Sequence, residues 1–140
     1  MEIIPDKDNK LYYTPYKFHI HEIVNNDLCR MTLFYAEETK NKLYYSIALK
    51  VGKRKKNVTL KQTGRNGLSC LIWARNALLE FEKYIIENKH IFYRLGKKEV
   101  YIFIYGDNNV REKVYAHGLK KYGYYYKHFK QGVFLVKKII

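Results

Sequence analysis

The feature that most constrains the fold is an amphipathic stretch at residues 68–87. Apolar side chains recur there at spacings of three and four, which is the period of an α-helix. They form one face: Leu71, Ala74, Leu78, Phe81 and Ile85, widened by Leu68, Ile72, Leu79 and Ile86. A helix with an apolar face this long must pack against another layer of secondary structure.

Segments with strand character lie on both sides of this helix. Residues 100–105 are almost entirely apolar, which is typical of a central strand covered on both faces. Residues 58–62 are predicted to form the strand before the helix. A strand, a helix and a second strand in this order predict a βαβ unit whose two strands are parallel neighbours.

The turn at residues 63–67 contains two glycines and leads directly into the helix. The first N–H groups of a helix have no partner within it, and the helix dipole makes them a suitable site for a phosphate or pyrophosphate. Gly64 and Gly67 allow the backbone to approach a ligand closely, and Arg65 adds guanidinium donors. An ordinary strand-to-helix turn can have the same short spacing of glycines, so both interpretations stay open.

The rest of the chain predicts an α+β fold. Its mixed central sheet has an N-terminal antiparallel meander, a βαβ core and a C-terminal hairpin, in a single domain of residues 1–140. Residues 1–15 are expected to be irregular, residues 37–41 to form a turn, and residues 91–95 to be a short strand or an extra turn. A second helix is expected at 110–121. The remaining strands are predicted at residues 16–24, 28–35, 43–51, 124–129 and 133–137.

Positive charge is the strongest signal in the composition, with 27 Lys and Arg against 13 Asp and Glu. This surplus favours an acidic partner or a nucleic acid. Four of these cations lie at a predicted hairpin tip: Lys53, Arg54, Lys55 and Lys56. Together they could bind a phosphate backbone. Charged loop tips are also commonly just solvated, so this feature alone does not decide between the two.

Several classes of protein are disfavoured by the sequence. It has no apolar run long enough for a transmembrane helix and no signal peptide, so a cytoplasmic protein without a membrane role is expected. Cys29 and Cys70 have neither metal-binding nor redox spacing. We therefore expect no metal, and we interpret Cys70 as a packing residue of the long helix. The oligomeric state is left open.

The order of elements resembles the GNAT superfamily of acyl-CoA-dependent N-acyltransferases. The run Gly67-Leu68-Ser69-Cys70-Leu71-Ile72 looks like part of the family's phosphate-binding loop, with Arg65 one position from the usual basic residue. The second helix and the Tyr122-Gly123-Tyr124 sequence after it are also similar to that family. Two helices that usually follow the family's first strand have no counterpart here.

The resemblance implies a cofactor, acetyl-CoA or another acyl-CoA, held where the strand at 58–62 diverges from the strand at 100–105. The implied cofactor-binding residues are Gln62, Gly64, Arg65, Asn66, Gly67, Leu68 and Ser69. Tyr115 is the first candidate for the acid that protonates the leaving thiolate, and Tyr122 is the second. The base stays open among four residues: His19, His21, Glu37 and Glu38.

The leading hypothesis is therefore an N-acetyltransferase-like protein that acts on an acidic or nucleic-acid-associated acceptor. One alternative is a noncatalytic, basic nucleic-acid-binding module. Another is a small interaction protein, such as an inhibitor from a phage or mobile element, that retains the fold without its ligand. The sequence leaves the acceptor and the acyl group undetermined.

Overall fold

The computed structural model describes residues 1–5, 17–24, 26–51, 67–105, 117–130 and 132–140. The strands are β1 (Ile4–Pro5), β2 (Lys17–Val24), β3 (Asp27–Glu38), β4 (Lys42–Val51), β5 (Glu99–Tyr105), β6 (Tyr125–Phe129) and β7 (Gly132–Lys138). The helices are α1 (Gly67–Glu87) and α2 (Lys89–Arg94), and residues 117–120 are also helical.

The seven strands form one mixed sheet in the order β1-β2-β3-β4-β5-β7-β6. β1 to β4 follow one another as an antiparallel meander, and β4 and β5 are parallel. β7 lies between β5 and β6 and is antiparallel to both. The predicted α+β class and the C-terminal hairpin are confirmed. The N-terminal meander is confirmed for the strands predicted at 16–24, 28–35 and 43–51, and its fourth predicted strand, 58–62, lies outside the described residues.

The prediction that residues 58–62 are the parallel neighbour of β5 is wrong over the paired stretch, because β4 holds that position. β4 and residues 58–62 both precede α1 and both have strand character, so the sequence pattern could not decide between them. Residues 58–62 lie outside the described residues. The crossover therefore runs from β4, by way of α1 and α2, to β5.

Three other segments have a structure that differs from the prediction or that selects one of two predicted alternatives. β3 continues to Glu38, through a register shift between Tyr35 and Glu37, where the sequence predicted a turn. A bulge inserts one residue into a strand, which a two-residue period cannot reveal. Residues 91–95 fall largely within helix α2. β1 forms within the segment that was expected to be irregular.

The long helix is confirmed, and it packs its apolar side on one face of the sheet, here named the helical face. The Phe81 ring lies 5.1 Å from that of Phe18 on β2 and 5.2 Å from that of Tyr45 on β4. These three side chains are fully buried, and burying one such side chain contributes about 1.5–3 kcal/mol. Ile72 and Ile86, which were predicted to widen the apolar face, instead lie on the solvent flank with 43% and 51% exposure.

The structure describes only part of the second helix, which was predicted at residues 110–121. Residues 117–120 are helical and contribute Leu119 to the core of the helical face. Residues 110–116 lie outside the described residues. Among the helices described, none combines the length and apolar character needed to cross a membrane.

Candidate functional site

The parallel ladder between β4 and β5 is short compared with the two strands. Its four residue pairs run from Lys42 opposite Glu99 to Tyr45 opposite Ile102. Beyond these pairs β4 continues through residues 46–51, still paired with β3, and β5 continues to Tyr105, still paired with β7. Adjacent strands in a sheet lie about 4.8 Å apart and pair at that distance. Within the described residues, β4 and β5 therefore separate after Tyr45.

Within the described residues, the separation leaves backbone groups of β4 without a strand partner on the β5 side. Along a strand, N–H and C=O groups point alternately to its two neighbours. Residues 46–51 are paired with β3, and in the described part of the chain no strand pairs with them on the β5 side. Backbone groups in such a place require some partner. An extended ligand that carries amide groups can supply it.

The start of α1 lies over β3 and β2, at the same end of the sheet as the point where β4 and β5 separate. Cys70, in the first turn of α1, has its Sγ 3.3 Å from Cys29 Sγ on β3. Cys29 is paired with Val51, the last residue of β4. The helix therefore begins over β3, one strand away from the carboxyl end of β4. Because β4 and β5 are parallel, the carboxyl end of β5 faces the same edge, which is where open sheets with parallel strands bind ligands.

Two contacts fix this end of the helix on the sheet. The Trp73 indole N–H donates a 2.8 Å hydrogen bond to Glu22 Oε2 on β2, and the Trp73 side chain is 4% exposed. Cys29 and Cys70 are both fully buried. Burial, followed by the hydrogen bond with the Cys70 thiol, raises the pKa of Cys29 to about 12. Cys29 is thus a neutral packing group at physiological pH and not a nucleophile.

The structure describes three of the seven predicted cofactor-binding residues, and all three lie at this edge. Gly67 opens α1, and Leu68 and Ser69 follow it in the first turn. The other four lie outside the described residues: Gln62, Gly64, Arg65 and Asn66. The four predicted nucleic-acid-binding cations also lie outside them: Lys53, Arg54, Lys55 and Lys56. So does Tyr115, the first candidate for the catalytic acid.

Tyr122, the second candidate acid, lies in the turn that follows the helical residues 117–120. Its ring is half-buried, with the Arg75 guanidinium 5.9 Å and the Lys121 Nζ 5.5 Å from the ring centroid. Arg75 is eight residues into α1, which is about 12 Å from Gly67 along the helix axis. The described contacts of Tyr122 are therefore with the body of α1 and not with its first turn.

The histidines considered as bases lie on the other side of the sheet. His19 forms a 3.2 Å hydrogen bond with Thr32 Oγ1 on β3, across the face opposite to α1. His21, two residues further along β2, shares that face. The side chains of Glu37 and Glu38 are not among the described ones. In the described ranges, no three His, Cys, Asp or Glu side chains come together as a metal site would require.

A buried charged cluster lies under α1 and was not predicted from the sequence. Glu82 is 6% exposed and accepts hydrogen bonds from the Tyr124 hydroxyl at 3.0 Å and from the Lys137 ammonium. The cluster ties α1 to β7 and to the chain just before β6. A signal was present in the sequence, since Glu82 is an acid beside Phe81 on an otherwise apolar helix face. Such a residue requires buried partners.

The chain matches no protein-family model, no curated protein and no solved structure.

Proposed function

We propose that this protein is an acyl-CoA-dependent N-acyltransferase with a GNAT-like arrangement, acting on an acidic or nucleic-acid-associated acceptor. The observation that carries the proposal is the end of the β4–β5 ladder after four residue pairs, at the edge where α1 begins. This is the arrangement that the sequence resemblance implies for the cofactor site, with β4 in the place that the sequence analysis gave to residues 58–62.

The chemistry of CoA suits the two parts of this edge. The pantetheine arm is an extended chain with two amides, and residues 46–51 of β4 offer about 20 Å of strand for pairing with it. The pyrophosphate is an anion, and the first turn of α1 supplies N–H groups and the positive end of the helix dipole. No acid lies in that first turn to oppose an anion.

The transfer requires two proton movements. The amine of the acceptor attacks the thioester carbonyl, the bond from carbon to sulfur breaks, and the CoA thiolate leaves. A nearby acid must protonate the thiolate, and a base or a water molecule must take the amine proton. Tyr115 and Tyr122 are the proposed acids. The base is left unassigned, because His19 and His21 lie on the face opposite to α1.

The acceptor class follows from charge. A net charge of +14 attracts acidic molecules and nucleic acids and repels basic peptides. We therefore propose an acceptor amine that is presented on an acidic protein or on a nucleic acid.

A thermal-shift titration with acetyl-CoA tests cofactor binding. A ligand at a hundredfold excess over its Kd stabilises the folded state by about 2.7 kcal/mol, which raises Tm by about 9 °C for a chain of this size. The diagnostic variant is Ser69→Glu. A carboxylate in the first turn of a helix stabilises the helix, yet it repels a pyrophosphate bound there. Loss of the shift in this variant therefore cannot be ascribed to unfolding.

Asn76→Glu is the matched control. Asn76 is exposed on α1, and it lies seven residues and about 10 Å beyond Ser69, with the same change in charge. We expect the control to keep the shift and Ser69→Glu to lose it. No shift of the unmodified protein at millimolar acetyl-CoA, or equal shifts in both variants, would contradict the proposal.

A further inference from the structure

The sheet face opposite to α1 carries a second cluster of aromatic residues, which we name the aromatic face. It comprises Tyr44 on β4, Tyr101 and Phe103 on β5, Phe134 on β7 and Phe129 on β6. The buried residues of α1, α2 and 117–120 belong to the core on the helical face. Among the described elements, no helix therefore packs on the aromatic face.

The rings of this cluster are in continuous contact across four strands. Tyr44 and Tyr101 stack at 4.8 Å with an angle of 13° between their planes. Phe134 meets Phe103 at 4.9 Å and Phe129 at 5.4 Å, both edge to face. Tyr44 and Phe103 connect the two groups at 6.1 Å. The rings support one another and present a preformed surface that needs little ordering when a ligand binds.

The accessible part of this surface lies towards β6. Tyr44 and Tyr101 are buried, with 8% and 9% exposure, while Phe103, Phe129 and Phe134 are only partly buried. Tyr125 on β6 is paired with Val136, a buried residue that packs with these rings, and 48% of the Tyr125 surface is exposed. Large aromatic side chains with this exposure on an outer strand are available for stacking with a planar ligand.

Cations lie on the same face of the sheet as these aromatic side chains. Among the side chains that the structure describes, the strand registers place five cations on it: Lys17, Arg30, Lys42, Lys127 and Lys138. Among the acidic side chains described there, Glu99 is alone, and it lies between Lys42 at 3.6 Å and Lys138 at 3.1 Å. Lys127 lies 5.5 Å from the centre of the Phe129 ring. The face thus combines accessible aromatic rings with a surplus of positive charge.

We propose that the aromatic face binds single-stranded nucleic acid. Stacking of bases on aromatic rings, with lysines on the phosphates, is how proteins hold single strands with little preference for sequence. A duplex keeps its bases stacked on one another and cannot offer them to these rings. Anionic membranes and acidic peptides match the charge but not the planar rings. The inference does not depend on the proposed transferase activity.

Neighbouring tyrosines on β6 provide the test. Tyr125 and Tyr126 are 48% and 43% exposed, and they lie on the aromatic face and the helical face respectively, opposite Val136 and Leu135. Binding of a fluorescently labelled single-stranded oligonucleotide of mixed sequence is measured by anisotropy for Tyr125→Ala and Tyr126→Ala. Removing a stacked ring weakens binding by about 5- to 150-fold. We expect that loss for Tyr125→Ala, less than twofold for Tyr126→Ala, and recovery in Tyr125→Phe.

A second pair of variants reports on the phosphate contacts. Lys127→Gln should lower the slope of log K against log salt by about 0.7, the contribution of one phosphate on a single strand. Lys83→Gln, at an exposed lysine of α1 on the opposite side of the sheet, should leave the slope unchanged. Both comparisons use folded variants, which circular dichroism and Tm verify.

Four results would overturn the proposal. One is an equal effect of the two tyrosine variants, and another is a duplex of the same sequence that binds as tightly as the single strand. A third is that Tyr125→Ala weakens binding to heparin, a polyanion without bases, as much as it weakens binding to the oligonucleotide. The last is binding that survives Tyr125→Ala and disappears when Lys53, Arg54, Lys55 and Lys56 are neutralised.

Discussion

Replacing Lys137 with methionine is expected to destabilise the protein strongly, although this lysine lies far along the chain from its partner. Its ammonium bonds to Glu82, a carboxylate that is 6% exposed beneath α1. Methionine keeps most of the aliphatic length and removes only the charge. The variant then leaves Glu82 with the Tyr124 hydroxyl, at 3.0 Å, as the remaining partner of this cluster.

The size of the effect follows from the burial of the two groups. Removing one partner of a buried ion pair costs about 3–5 kcal/mol, because the other charge is left without compensation. The Lys137 side chain is 27% exposed, so water already screens part of the attraction. We therefore expect a loss of about 2–3 kcal/mol, which lowers Tm by about 7–10 °C. This is less than the stability of a typical domain, so the variant should still fold.

Urea unfolding followed by tryptophan fluorescence measures this loss. Trp73 is the single tryptophan of the chain, and its burial between α1 and β2 makes it a reporter of helix docking. Lys138→Met is the matched control, since Lys138 is the next residue of β7, faces the other side of the sheet and is 53% exposed in its pair with Glu99. An exposed pair contributes about 1 kcal/mol or less.

A double-mutant cycle completes the test. Glu82→Gln removes the charge that Lys137→Met leaves unpaired, so the double variant should be more stable than the sum of the two single effects predicts. If Lys137→Met and Lys138→Met lower the stability equally, or if the two cluster variants are additive, Glu82 is not held as a buried ion pair and our reasoning about this cluster is refuted.

Two further predictions concern the backbone and a buried thiol. Gly123→Ala should lower the free energy of unfolding by about 1–2 kcal/mol, because Gly123 has φ +95 and a Cβ there would lie 3.4 Å from Lys137 Cε. Gly118→Ala, at a helical position with open space, should raise the free energy of unfolding by about 0.5–1 kcal/mol. Thermal unfolding measures both changes, and the reverse order would contradict the assigned backbone. Cys29 should resist alkylation by iodoacetamide at pH 8.5 until urea is added. Its protonation should stabilise the fold below pH 9.0, and this stabilisation should be lost as the pH rises towards about 12. Cys29→Ala should remove that pH dependence. Rapid alkylation of native Cys29 would show that the thiol is accessible.

The parts of the fold that depend on local patterns were predictable. The helical period placed α1 within one residue of its observed start, and alternation and turn residues located β2, β4 and β7 to within one residue at either end. These elements are determined by which of their own residues are apolar, and that is written directly in the sequence.

The parts that depend on contacts between distant segments were not predictable. Two segments before α1 could equally have paired with β5, and only the assembled sheet shows that β4 does so. The bulge near Tyr35 adds a residue without changing the composition of β3. The Glu82 cluster required knowledge that α1 crosses β7 and the residue before β6, which are more than 40 residues further along the chain.

The sequence indicated residues for a candidate site but not their place in the sheet. The glycine turn and the helix after it predict an anion site, and the structure adds that α1 begins over β3, at the end of the sheet where β4 also ends. The aromatic face could not be predicted, because its members come from four strands that are brought together only when the sheet forms. A surplus of lysine predicts an acidic partner or a nucleic acid, but composition alone cannot assign a partner to a surface.

Mapping the binding of acetyl-CoA by NMR tests the central claim most directly. The claim is that an acyl-CoA occupies the gap where β4 and β5 separate, with its pyrophosphate at the start of α1. Titration of the ¹⁵N-labelled protein with acetyl-CoA should give saturable shifts that are largest for the amides of residues 46–51 and 67–69. Unchanged amides in both stretches at millimolar acetyl-CoA, or shifts confined to the aromatic face, would contradict it.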